Sequence, residues 1–219
     1  MNLFKAYEAN KDVIMVKHPQ MDLYSVKYKN LGVDFSNELT RLARGIIITS
    51  SGEIIARPFV KFFNLFEMQN RSQEWNDKKP ESLKALSMPE DLPFEATEKL
   101  DGSLIIAYEY MGELMFSSSG SVESEHSKAA KALAYELFTE SQLEELKSAA
   151  KAKYTIMFEY TAPENHIVVH YVKPELRVIG VNETNTGKDL SREEVDALLP
   201  GLPKAKLLTE IKTLEEAQD

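Results

Sequence analysis

Lys99 lies in the stretch TEKLDGSLII, Thr97 to Ile106, between Glu98 and the dipeptide Asp101-Gly102. A lysine can serve as a nucleophile once its amine is deprotonated. Its unperturbed pKa is about 10.4, so at neutral pH it needs burial or a neighbouring cation to free the lone pair. The same string also describes a strand-end lysine followed by a turn, with Gly102 letting a ligand approach the backbone closely. Taken alone, so short a string favours the plain reading, because it recurs by chance.

Three other positions add weight. Arg44 directly precedes the apolar run GIII, Lys61 lies among aromatics in RPFVKFFNL, and Glu159 is flanked by Phe158 and Tyr160 in MFEYTAPENHIVV. An acid in an apolar run is costly unless something pairs with it. Singly, each has a structural explanation. Arg44 can be a surface salt bridge, Lys61 an aliphatic stem covering Phe62 and Phe63, and Glu159 half of a buried ion pair. All four in this order are not readily a matter of chance.

The elements that must position these residues follow from periodicity. Tyr24, Val26 and Tyr28 alternate with Ser25 and Lys27 as in a half-buried strand. Ser36 can cap a short helix through Leu42. GIIITSSGEIIARPF reads as a hairpin turning at Ser51-Gly52, and SLIIAYEYMGELMFSSS as a second turning at Met111-Gly112. Glu125 to Lys153 is helical, with Thr139 and Gln142 forming a capping box before the second half. YTIMFEY, HIVVHY and LRVIGV are expected strands. SREEVDALL is a helix capped by Ser191 and Glu194, and LTEIKTLEEAQD reads as another. QNRSQEWNDKKPES is polar and predicts a loop. Strands paired in hairpins with helices grouped between them predict an α+β domain with antiparallel sheet, one domain over residues 1–219.

The composition narrows the class. Of 219 residues 43% are hydrophobic and 28% charged, enough to build a core. The absence of cysteine excludes disulfides and thiolate zinc sites and fits a reducing compartment. No apolar window is long enough for a membrane helix, and the first residues lack a secretion signal, so the sequence reads as cytoplasmic. The net charge of -9 argues against broad nucleic-acid binding but leaves room for a nucleotide pocket with a few local cations.

The set ARGIII, RPFVKFFNL, EKLDGS, SSSGS, MFEYTAPENHIVV and GVNETNTG closely resembles the phage ATP-dependent RNA ligases that repair broken tRNA. These belong to the covalent nucleotidyltransferases, with DNA ligases and capping enzymes. EKLDGS signals only that superfamily, whereas RPFVKFFNL and FEYTAPENHIVV are specific to the RNA ligase branch. The resemblance implies a ligase adenylation domain that uses ATP and Mg²⁺ and acts on RNA ends, tRNA among them. Its location would be the host cell cytoplasm if it is phage-encoded. Lys99 would be the nucleophile that carries AMP. Arg44 and Lys61 would hold the triphosphate, Phe63 would shape the nucleotide pocket, and Tyr28 would lie near the phosphates. Glu98 and Gly102 would meet the adenosine, and Glu159 the ribose or the metal's hydration shell. The resemblance leaves the metal ligands unassigned.

The sequence departs from the family pattern in three places. Ser119 stands where a basic residue is usual, and His166 where an arginine is common. A glutamate-glycine strand followed by a lysine-x-lysine strand, which in the family helps lower the nucleophile's pKa, is missing. Lys151-Ala-Lys153 and Lys204-Ala-Lys206 are expected to be solvated lysines instead. On that reading the domain is incomplete at its C-terminus, and its adenylylation is weak or absent. A nucleotide- or RNA-binding module without turnover, a DNA ligase or capping enzyme, and a domain whose charges are all structural stay open at this point.

Overall fold

The computed structural model describes residues 2–63, 95–165 and 168–211. The polar loop from Gln69 to Ser82, His166 and most of the last expected helix lie outside them. The chain opens with helix α1 (Leu3–Glu8), strands β1 (Val13–Lys17) and β2 (Tyr24–Tyr28), and helix α2 (Glu38–Leu42). Strands β3 (Arg44–Ile48) and β4 (Ile54–Ala56) complete a four-stranded antiparallel sheet in the order β1-β2-β3-β4. A second antiparallel sheet has the order β6-β5-β7-β8. It is built from β5 (Ser103–Tyr110), β6 (Glu113–Ser118), β7 (Tyr154–Thr161) and β8 (Glu175–Glu183). Helices α3 (Glu125–Leu137) and α4 (Glu140–Lys151) lie between β6 and β7 in the chain, and α5 (Arg192–Leu198) follows β8.

Alternation on the strands explains the layering. On β5, Ile105 and Ala107 point to a core shared with Ala130, Leu133 and Ala134 of α3 and Leu146 and Ala149 of α4. Ile106 and Tyr108 point the other way, onto Leu23, Ile47 and Ile55 of the first sheet. Both faces are covered, which is why LIIAY reads as an unbroken apolar run. The outer face of the first sheet, with Val26, Ile46 and Ile48, is closed by Tyr7, Leu3 and Phe4 from the α1 region. Each fully buried isoleucine contributes about 1.5–3 kcal/mol of transfer free energy. The two sheets therefore face each other across a shared apolar layer, and the residues of interest lie at one end of it.

The hairpins and the antiparallel α+β character match the sequence reading. Both capping boxes form, Thr139 with Gln142 and Ser191 with Glu194. Four expectations need correction. The N-cap of α2 is Asn37, whose Oδ1 accepts the Leu39 N–H at 2.9 Å; Ser36 instead donates its N–H to Asp34. The described part of HIVVHY, Val168 to Tyr171, is an irregular loop and not a strand, with Val168 exposed. The structure also adds α1 and β1, for which the sequence patterns above give no signal; VIMVK lacks the clear polar-apolar alternation of YSVKY. Finally, Lys204 is not solvated. Its Nζ donates to the Leu199 and Leu202 carbonyls at 2.6 and 3.1 Å and lies 3.3 Å from Asp196, with the side chain 7% exposed.

Candidate functional site

The placement of Arg44 depends on a bulge. Val26 pairs with Ile46, but Lys27 pairs with Arg44, so Gly45 is the extra residue. Simple alternation from Ile48 and Ile46 would send Arg44 to the outer face under α1. The inserted residue turns it to the inner face, toward the second sheet. Gly45 has φ +96°, and a Cβ there would lie 2.7 Å from the Cα of Ser119. A side chain would be both strained and in collision with backbone.

Turned inward, the Arg44 guanidinium stacks on Phe62, with Cζ 4.0 Å from the ring centroid. Its Nη1 is shielded from water and, among the described residues, has no hydrogen-bond partner. Burial pushes its pKa below the ordinary arginine value, against the opposing pull of Tyr28 and Glu159. The group stays charged, so a buried donor of a cation is left unspent.

Lys61 arrives on a strap that leaves β4. Pro58 has no N–H and ends the ladder. The Arg57 N–H then donates to Thr155 Oγ1 at 2.9 Å and the Phe59 N–H to Met157 Sδ at 3.2 Å, both on β7. The Phe59 ring covers Gly180, where a Cβ would lie only 2.4 Å from it. The strap returns to the first sheet when the Lys61 N–H donates to the Arg41 carbonyl at 2.8 Å. Lys61 Nζ lies 4.7 Å from the Phe63 centroid and 5.7 Å from that of Phe35. Phe35 meets Tyr28 and Phe63 edge-on, at 5.2 and 5.8 Å. Tyr28, Lys61 and Phe63 thus gather around Phe35, a residue the sequence reading did not single out.

Glu159 and Lys99 come from the second sheet. Glu159 Oε1 accepts the Gly102 N–H at 2.9 Å. Burial raises the Glu159 pKa, opposed by that hydrogen bond, by Lys99 and by Arg44, while Asp101 adds to the rise. The carboxylate therefore lies within electrostatic reach of both cations. Lys99 itself is exposed, on the loop that enters β5. A Cβ on Gly102 would lie 2.2 Å from the Tyr160 carbonyl oxygen. The room left by this glycine is filled by β7 rather than kept for a ligand.

The Asp101 carboxylate, which the sequence reading treated as part of a turn, is buried and accepts the N–H groups of Val168 and Val169. Its own N–H donates to Tyr171 Oη at 3.0 Å. No periodicity signals such a role, since all three partners lie some 70 residues away in the chain. Glu98 is turned elsewhere. It pairs with Arg177 at 2.9 Å and accepts the Lys206 N–H at 2.7 Å. The Glu98 N–H donates to the Lys206 carbonyl, and Thr97 bridges Leu207 antiparallel. Tyr28, Arg44, Lys61, Phe63, Lys99, Gly102 and Glu159 form one connected set, and Glu98 anchors its edge. Among the described residues no group of three or more His, Asp or Glu is placed to hold a metal ion.

An exposed amine, a half-buried acid, a half-buried guanidinium with a shielded Nη1 and a lysine against aromatic rings are thus brought into one neighbourhood. The sequence pattern of the RNA ligase family is matched across residues 42–218. The chain belongs to the RNA ligase family. It is 31% identical to the RNA ligase of Rhodothermus phage RM378, an alignment that takes in 81% of this chain and 45% of that protein. It is 29% identical to RNA ligase 1 of bacteriophage TS2126, over 70% of this chain and 37% of the relative. The chain spans about half the length, or less, of these RNA ligases. Among solved structures, an archaeal ATP-dependent RNA ligase superposes with a TM-score of 0.60 at 20% identity, over 94% of this chain and 49% of that one. That likeness shows a shared ligase fold.

Proposed function

We propose that this chain takes AMP from ATP onto Lys99, the first step of joining a 5′-phosphate RNA end to a 3′-hydroxyl end. The Lys99 amine attacks the α-phosphorus. A nitrogen–phosphorus bond forms, the bond to the bridging oxygen breaks, and pyrophosphate leaves. An oxygen of the RNA 5′-phosphate then attacks the same phosphorus, which transfers AMP and returns the amine. The 3′-hydroxyl attacks the activated 5′-phosphate, and AMP departs.

Such transfers need little covalent help from the protein; positioning and neutralisation of charge dominate. Arg44 and Lys61 meet the phosphates, and Phe63 with Phe35 and Tyr28 walls the pocket. Exposed Lys99 gives up its ammonium proton to solvent before it attacks, and Glu159 lies within electrostatic reach to position it. The observation that carries this reading is the shielded Nη1 of Arg44, without a hydrogen-bond partner among the described residues, on a guanidinium within electrostatic reach of Glu159, which also feels Lys99. A donor so placed is costly unless an anion satisfies it.

The donor set fits a magnesium ion held mainly by the nucleotide. Among the described residues one oxygen of Glu159 accepts the Gly102 N–H, and its carboxylate would meet the ion through a bound water, since magnesium binds through one or two carboxylates plus substrate phosphates. When bound, such an ion neutralises triphosphate charge.

Incubation with α-labelled ATP and Mg²⁺ tests the proposal. Label should stay on the denatured protein, and the intact mass should rise by one adenylate. Lys99→Ala should abolish both. Unlabelled wild-type protein after long incubation would overturn the adenylylation step for this chain. Sealing of single-stranded RNA compared with nicked DNA tests the RNA specificity.

A further inference from the structure

Lys27 stands directly opposite Arg44 across β2 and β3, at the point where Gly45 bulges out. Directly opposed residues share a face, so both side chains leave the same side of the sheet. The tip of Lys27 is located by Gly120, where a Cβ would lie 3.3 Å from Nζ and 3.7 Å from Cδ. That turn crosses the sheet at Gly45, with Ser119 Cα packed against it. Ser119 brings no charge to this corner.

Like charges opposed across two strands repel. Among the described residues no ion pair or hydrogen bond engages the Lys27 ammonium. Its stem is half-buried along the inner face. A pair of aligned cations, one of them with a buried unspent donor, is suited to an anion carrying more than one negative charge.

We infer that Lys27 is a binding residue for the polyphosphate of the nucleotide, beside Arg44. This rests on the nucleotide reading of the site and adds a residue to it. The ammonium works as a point charge on the phosphates beyond the first, so it distinguishes a nucleoside triphosphate from a monophosphate.

The test is calorimetric titration of the chain with ATP and with AMP, each in the presence of a chelator so that no chemistry occurs. Lys27→Met keeps the stem and removes the charge. It should weaken ATP about tenfold, the scale of one charge-assisted contact, and leave AMP within about twofold. Lys27→Arg should recover most of the ATP affinity. Ser119→Lys in the Lys27→Met background should restore it in part, by bringing an ammonium to the same corner. A thermal midpoint for Lys27→Met equal to or above wild type would show that the fold is intact. ATP binding untouched by Lys27→Met, or ATP and AMP weakened equally, would overturn the assignment while leaving the nucleotide site standing. A wild-type chain that binds neither nucleotide would overturn both.

Discussion

The carboxylate of Glu159 on β7 accepts the backbone N–H of Gly102 at 2.9 Å, three residues beyond Lys99. One acid thus fixes the loop that carries the amine and lies within reach of the amine's charge and that of Arg44.

Glu159 should be a residue kept at the expense of stability. Burial raises its pKa, so the folded state holds the proton more tightly than the unfolded chain does. The stability this gives is fully present below the unfolded pKa and is lost as pH rises through the folded value. Glu159→Gln mimics the protonated form and can still accept the Gly102 N–H. Its thermal midpoint should exceed that of wild type at pH 7, and the gap should close toward pH 4. Adenylylation should fall by at least about tenfold. A midpoint below wild type at pH 7 would contradict the sign.

Gly45→Ala should both destabilise and disable. Positive φ for a non-glycine residue costs about 1–3 kcal/mol, and the contact with Ser119 adds to it. Relief requires movement of the bulge, which carries Arg44 away. Urea denaturation should show the loss, and ATP affinity measured on the folded fraction should fall as well. Gly52→Ala serves as the comparison, since it shares the positive φ but lies in a distant turn against Asn2.

Asp101→Ala should release the loop from Val168 to Tyr171. Two backbone N–H groups lose their acceptor in this variant. Hydrogen exchange of Val168 and Val169 should speed up about tenfold or more, while that of β5 and β7 stays near wild type. Tyr171→Phe should give a smaller effect of the same kind, since it removes only the acceptor for the Asp101 N–H.

Lys204→Met should cost about 2–3 kcal/mol by chemical denaturation, because it leaves the Leu199 and Leu202 carbonyls without their donor, while Asp196 keeps Arg192. Lys206→Ala, at an exposed side chain two residues on, should stay within about 0.5 kcal/mol.

Strands and helices long enough to repeat their pattern were legible in the sequence. β5, β7, α3 and α4 each carry several periods, and the Thr139 and Ser191 caps have a local chemical signature. Residues whose placement depends on distant partners were not legible. HIVVHY has the composition of a strand, yet part of it is clamped as a loop by Asp101, some 67 positions earlier in the chain. Lys204 looks like any surface lysine until Leu199, Leu202 and Asp196 close around it. The site was half legible. Lys99, Arg44, Lys61 and Glu159 stand out by residue type against apolar neighbours. Lys27 does not, because its relation to Arg44 arises only from a bulge that shifts the register by one residue. Glu98 carries the right charge at the right spacing, but Arg177 and the Lys206 N–H claim its carboxylate.

The pairing of Thr97 with Leu207 has a consequence for how the protein comes into being on the ribosome. Residues 96–98 find their backbone partners only in residues 206–208, over a hundred positions later. The loop that carries Lys99 therefore cannot be set in its final frame while the early part of the nascent chain is still alone. Until then the segment beside it is an open strand edge, and its closure waits for residues 206–208 to leave the ribosome.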